Sequence, residues 1–238
     1  KELAKLGQRA ENYFVGVNCG RMDQFSSVAG KKDHAIFLNC DTLEYELVPI
    51  VLGDYRLVIA NTNKKRGLAD SKYNERRSEC ERAVQIINKK RNIKLLGEIT
   101  YDELINLKDL FINNEIEFRR ARHVVSEIKR TVDAVDALKK GDLNKFGKLM
   151  NESHDSLRYD YEVTGLELDT LVDETRKVDG VVGSRMTGAG FGGCTVSIVH
   201  KDSINTLIEK VGKAYTDKTG LKADFYVAEI GDGAKKIE

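Results

Sequence analysis

The feature that most constrains the fold lies near the end of the chain, where Gly183-Ser-Arg-Met-Thr-Gly188-Ala-Gly190-Phe-Gly192-Gly193-Cys194 places five glycines in eleven positions. So many residues without Cβ let a backbone enter φ > 0 and approach a ligand or another backbone closely. Gly188, Gly190 and Gly193 formally match G-x-G-x-x-G. The dinucleotide fingerprint must open a helix, however, and Cys194 to Val199 (CTVSIV) has a β pattern, so that reading fails. A protein-kinase glycine loop does lie between strands, but a lysine strand, H-R-D and D-F-G should follow it. The chain after Gly193 contains none of them. A tight β-hairpin with packing glycines is the competing reading, and glycine count alone does not decide the matter.

Around this loop the pattern alternates between strand and helix periods. Leu3, Leu6, Ala10 and Tyr13 fall near helical spacing and predict the end of an amphipathic helix over 2–14. The first residue is Lys, inside a pattern already under way, so we expect the chain to start within a larger protein. Three β-branched or aromatic runs at 34–39, 43–50 and 55–60, separated by turn residues, predict three antiparallel strands. From Asp70 the period changes. Tyr73, Cys80, Ala83, Val84 and Ile87 line one face of a long helix, and a second long helix is expected over 115–140, ending near Gly141. Helices at 142–157 and 166–177 follow, then strand, glycine loop and strand over 180–199, a helix at 202–215 and a strand at 224–230. Elements mixed in this order, with one proline in 238 residues, predict an α+β fold.

Charge narrows the partners. There are 39 Lys+Arg against 38 Asp+Glu, which gives no general electrostatic reason to bind nucleic acid or an anionic membrane. No apolar run approaches the roughly 18 residues needed to span a bilayer. Cys19, Cys40, Cys80 and Cys194 show no CxxC spacing, which fits neither a zinc site nor a disulfide scaffold and points to a reduced, cytoplasmic setting.

Residues 18–25, Asn-Cys-Gly-Arg-Met-Asp-Gln-Phe, hold a carboxylate after a glycine turn, a placement suited to accepting a substrate proton. Taken by itself, Asp23 near a helix start reads as an N-cap or first-turn residue ahead of a proton acceptor. Glu11, twelve residues earlier, suits either a magnesium ion or a solvated helix face. Arg119, Arg120 and Arg122 read as a solvated or salt-bridged helix face, and His123 and His154 lack a metal-ligand partner at i,i+4. Cys194 reads as a small buried apolar residue.

Taken together, these segments resemble one family. Asn18-Cys-Gly-Arg-Met-Asp-Gln24 is similar to the segment bearing the proposed catalytic aspartate of galactokinases, and Gly183 to Cys194 to their third glycine-rich motif. Asn61 to Arg77, Arg119 to Val125 and Glu152 to Arg158 also resemble galactokinase segments, in the expected order and over nearly the whole chain. These enzymes belong with the homoserine, mevalonate and phosphomevalonate kinases. The resemblance implies a two-lobed small-molecule kinase fold, with 1–62 as the last part of an N-terminal lobe and 63–238 as a C-terminal lobe of antiparallel sheet packed with helices.

It further implies transfer of the γ-phosphoryl of ATP to the C1 hydroxyl of α-D-galactose. Asp23 matches the proton acceptor, Glu11 the Mg²⁺ ligand, Tyr73 a tyrosine contacting the sugar and Gly20 a backbone position beside it. Gly188, Gly190, Gly192 and Gly193 match the loop that closes near the phosphates of ATP. A core role for Tyr73 on the inner helix face is the competing reading. The family's early sugar-binding motif, with its arginine, and its serine-rich ATP loop are not in these residues, so we expect the chain alone to be inactive and to need a missing N-terminal segment of the same protein. A galactokinase-like sugar and ATP sensor acting through a protein partner, or an N-acetylgalactosamine kinase, are the alternatives.

Overall fold

The computed structural model describes residues 2–16, 20–65 and 69–235, and the mixed helix and antiparallel sheet expected from the sequence is what forms. Cys19 lies outside the described residues. Contacts within the chain group it into two units, 1–53 with 135–142 and 229–238, and 54–134 with 143–228.

The first unit opens with α1 (Glu2–Arg9), which continues as a wider π-helical turn over Ala10–Val15 and ends at Gly16 in the left-handed region. Helix α2 (Met22–Ala29) packs on α1 so closely that a Cβ on Gly7 would lie 3.0 Å from Gln24 Cγ. Strands β1 (His34–Leu38) and β2 (Tyr45–Pro49) form an antiparallel hairpin. The Phe25 and Tyr45 rings meet edge to face with their centres 5.2 Å apart. The tail returns along α2, with Gly233 N–H donating to the Gly30 carbonyl at 2.8 Å and Ala234 N–H to Ser27 at 2.7 Å. Among these residues the apolar stripe of the first helix is not covered. Leu3, Leu6 and Tyr13 are exposed, and Phe14 is 93% exposed.

The second unit is built on a four-stranded antiparallel sheet in the order β4–β5–β3–β6. Here the sequence expectation of three neighbouring strands is corrected: β3 (Tyr55–Asn61) does not extend the β1–β2 hairpin but runs at the centre of this sheet, between β5 and β6. Leu57 to Ala60 is a continuous apolar run, and such a strand gains by burial on both faces, whereas β2 leaves Tyr45, Glu46 and Pro49 exposed. Helices α3 (Ala69–Ile87), α4 (Tyr101–Asn106) and α5 (Glu115–Lys139) share a core of Ala83, Ile87, Ile93, Leu104, Phe118 and Ala121. Helix α4 is fixed by a capping box in which Glu103 N–H donates to Thr100 Oγ1 at 3.2 Å and Thr100 N–H to Glu103 Oε2 at 2.7 Å. Such a cap is worth about 0.5–2 kcal/mol.

Helices α6 (Leu143–Ser156) and α7 (Leu166–Thr175) lead into β4 (Val181–Thr187) and β5 (Cys194–His200), which flank the glycine loop. Helix α8 (Ile204–Thr219) stops at Gly220 in the left-handed region, and β6 (Asp224–Ala228) closes the sheet. Val58, Ala60, Leu171, Val199, Leu207 and Tyr215 form the core between sheet, α7 and α8. Helix α6 lies almost on the backbone of β4: a Cβ on Gly147 would sit 2.3 Å from the Val182 oxygen, and one on Gly183 2.4 Å from the Gly147 oxygen. Among the described residues no helix is long and apolar enough to cross a membrane.

Candidate active site

The residues singled out in the sequence fall in both units and are described in each unit by itself. In the first, Glu11 is half-buried in the π-helical turn after α1, and Asp23 is an exposed second residue of α2. Asp23 is thus a first-turn residue, where the positive end of the helix dipole favours a carboxylate. The helices leading into and out of this segment are tied directly, since Arg21 Nε donates to Gln8 Oε1. Gly20 is exposed, immediately before α2. Carboxylates are the right donors for Mg²⁺, which is held by one or two of them together with substrate phosphates. Among the described residues no group of three or more His, Cys, Asp or Glu could hold a metal ion.

In the second unit the glycine loop, residues 188–193, is held in an extreme backbone conformation. Gly188, Gly190, Phe191, Gly192 and Gly193 all have positive φ, with Phe191 at 58°, an outlier for a bulky residue. Two anchors hold it there. Phe191 N–H donates to the Val163 carbonyl at 2.7 Å, and the Gly193 carbonyl accepts from both Thr62 N–H and Thr62 Oγ1 at 2.9 Å. The Phe191 ring packs on the cluster of Leu157, Val163, Leu168 and Met186. A Cβ on Gly190 would lie 2.1 Å from the Val163 oxygen, while one on Gly188 would meet nothing within 4 Å. Gly192 passes over the stem of Lys64, whose Nζ pairs with Glu167 at 2.8 Å.

Tyr73 lies near the start of α3 and is 39% exposed, so it does not join the inner helix face as the core reading required. Its neighbour Lys72 places Nζ 5.3 Å from the centre of the Phe191 ring. The structure therefore brings the start of α3 and the glycine loop together within this unit.

The sequence reading missed what lies behind the loop. Arg120, read as part of a solvated or salt-bridged face, is only 2% exposed. Helix α5 is buried on two sides: Phe118, Ala121 and Val125 face the apolar core, and Arg120, His123 and Glu127, also at helical spacing, face a polar seam. Arg120 reaches Glu79 Oε2, the Asp160 carbonyl and Glu162 Oε2, each at 2.6 Å. Arg119 reaches the Tyr159 carbonyl at 3.2 Å and Glu162 Oε1 at 3.0 Å; Arg122 pairs with Asp160, and Arg76 with Glu79 at 3.0 Å. Burial works against ionising Glu162, but hydrogen bonds from Arg120 and Arg119 outweigh it and hold its carboxyl below the usual range.

His123 stacks on Tyr161 with ring centres 4.5 Å apart, and its Nδ1 lies 2.9 Å from Ser156 Oγ. Burial pushes its pKa down to about 4, so it is neutral near pH 7. His154 is fully buried, accepting from Met186 N–H at 3.2 Å with Nε2 facing Asp169 at 3.3 Å. Cys194 is half-buried at the start of β5.

Residues 134–217 match the C-terminal domain of the GHMP kinases. The whole chain is 59% identical to the galactokinase of Fusobacterium nucleatum, of which it spans 61%, and 99% of it is 59% identical to the galactokinase of Clostridium acetobutylicum, of which it spans 60%. The solved structure of Lactococcus lactis galactokinase complexed with galactose superimposes with a TM-score of 0.94 at 49% identity, covering 99% of this chain and 61% of that one. Homoserine kinase from Cytophaga hutchinsonii shares the fold, with a TM-score of 0.54 at 12% identity. Residues 134–217 thus carry the C-terminal domain of the GHMP kinases, and the chain as a whole is similar to galactokinases over about three-fifths of their length.

Proposed function

We propose that the protein of which this chain is part is a galactokinase, transferring the γ-phosphoryl of ATP to the C1 hydroxyl of α-D-galactose. The observation that carries the reading is the similarity along the entire chain to galactokinases, one of them solved with galactose. The matched portion is about three-fifths of those relatives, and the reading assigns to their remaining length the serine-rich ATP loop and the sugar motif with its arginine. Residues 1–62 then complete an N-terminal lobe and 63–238 form the C-terminal one.

In this reading Asp23, exposed at the start of α2, takes or orients the proton of the attacking hydroxyl. Phosphoryl transfer depends mostly on positioning and electrostatic stabilisation, so one well-placed carboxylate beside the hydroxyl is sufficient chemistry on this side of the reaction. Tyr73 offers its ring face and hydroxyl to the sugar, with Gly20 leaving room beside it. The loop of Gly188, Gly190, Gly192 and Gly193 closes over the phosphates. Glu11 holds Mg²⁺, which when bound screens phosphate charge. The absence of a general basic field suits a neutral sugar in a cytoplasmic enzyme.

An ADP-release assay on the full-length protein tests this. Galactose-dependent ADP formation, faster than with N-acetylgalactosamine, is expected. Binding of galactose and ATP without ADP release would favour a sensor, and a preference for the N-acetyl sugar would move the reading to its kinase.

A further inference from the structure

Four arginines, Arg76, Arg119, Arg120 and Arg122, converge on the turn formed by residues 159–162. None of the four is needed to explain the sheet or the apolar cores. What they hold is the left-handed end of the helical turn over Leu157–Tyr161: Glu162, its cap, has φ 56°, a conformation uncommon for a non-glycine residue. The next residue is Val163. Its carbonyl accepts the Phe191 N–H and occupies the space that a Cβ on Gly190 would need. One peptide unit therefore separates the arginine clamp from the seat of the glycine loop.

Arg120 is the centre of this clamp. Its three arms go to three different things: Nε to Glu79 on α3, Nη1 to the Asp160 carbonyl and Nη2 to the Glu162 carboxylate. A guanidinium offers five N–H donors spread over three nitrogens in a fixed plane and so meets all three acceptors here, whereas an ammonium has its three donors on one nitrogen. Glu79 lies on the same helix as Tyr73 and Lys72, and Lys72 stacks on Phe191. Both the turn that seats the loop and the helix that borders it are thereby referred to one buried side chain.

We propose that Arg120 is a positioning residue for the glycine loop, acting through Glu162 and Val163, and that through Glu79 it sets α3 and Tyr73 against that loop. The structural half of this inference stands on geometry alone, and its catalytic half rests on the function proposed above.

Two variants of the full-length protein test it, with amide hydrogen exchange and steady-state kinetics as readouts. Glu162→Gln leaves the Arg120–Glu79 pair in place and removes only the charge that fixes the turn. We expect exchange in the 188–193 segment to accelerate about tenfold or more while β5 and α8 are unchanged, because opening is local. Turnover should fall with the KM for galactose unchanged. Arg120→Lys, which also loosens α3, should show the same loop exchange and additionally raise the KM for galactose. Should Arg120→Lys fail to fold, Glu162→Gln carries the test. Unchanged loop exchange in Glu162→Gln, or acceleration spread evenly over β4, β5 and α8, would overturn the proposal and leave the clamp as scaffolding. If the unaltered protein shows no galactose-dependent turnover, the functional reading fails, and the exchange data still judge the clamp.

Discussion

The glycine loop and the Glu11–Asp23 segment carry the two parts of the proposed chemistry, and they are constrained in opposite ways. The loop is held by its own fold: Val163 and Thr62 pin it, and Gly190 has no room for a Cβ. Asp23 is an exposed residue in the first turn of an eight-residue helix, and nothing in its packing demands a carboxylate. A residue demanded by packing shows its loss in stability. One demanded by chemistry shows its loss in rate with the fold intact. The variants below are chosen to separate these two signatures.

Asp23→Asn should have the largest effect, and only on rate. The amide keeps the shape and cannot accept the proton, so turnover should fall by roughly 10²- to 10⁴-fold. The melting temperature should stay close to that of the unaltered protein, as for most exposed substitutions. A steady-state assay beside a thermal melt checks both, and near-normal turnover would remove Asp23 from the base role.

Gly190→Val should reverse that signature. At φ 84°, with the Val163 oxygen 2.1 Å from the new Cβ, the strain of about 1–3 kcal/mol adds to a backbone clash. Gly188→Ala, at φ 80° in open space, should carry only the conformational cost of about 1 kcal/mol. Denaturant midpoints of the two variants should differ clearly, and equal midpoints would mean that the Val163 seat does not matter.

His123 extends the contrast to pH. Burial lowers its pKa from 6.5 to about 4, so between those values the unfolded chain takes up a proton that the folded one refuses. This contribution is complete above about pH 6.5, is lost as pH falls toward about 4, and corresponds to about 3 kcal/mol over that window. His123→Gln should lose less stability than the unaltered protein between pH 6.5 and 4.5 in urea titrations. Parallel losses would show that other groups set the acid limit.

Tyr73→Phe should be the smallest change. Its position on the exposed part of α3 predicts little effect on the fold, and removing a neutral hydrogen bond to the sugar should weaken galactose binding by about 0.5–1.5 kcal/mol. Calorimetry with galactose reads this, and equal affinity would remove the sugar contact.

Much of the fold was legible in the sequence because its signals are local. The strand–loop–strand pattern around the glycines, the long helices and the stop near Gly141 follow from period and backbone freedom, while α8 runs to Thr219, beyond the expected end at 215. The Thr100–Glu103 capping box was equally readable, yet the short helices between α3 and α5 were not anticipated. Strand pairing was not local: β3 is close in sequence to the β1–β2 hairpin and pairs with β5 and β6 instead. The same limit hid the arginine clamp. Arg119 and Arg122 are three apart and share a helix face while Arg120 is turned about 100° from Arg119, and only the tertiary arrangement of α3 and the 159–162 turn explains which of them is buried. Gly183, read with the loop, is demanded by the Gly147 backbone against it and not by a turn.

The most direct test of the proposed activity is to identify the product. Incubation of the full-length protein with ATP, Mg²⁺ and galactose, followed by phosphorus NMR, should yield a sugar phosphate ester coupled to the anomeric proton of α-galactose, and Asp23→Asn should slow its appearance by the factor given above. Absence of any galactose phosphate, or a phosphate on a hydroxyl other than C1, would contradict the account.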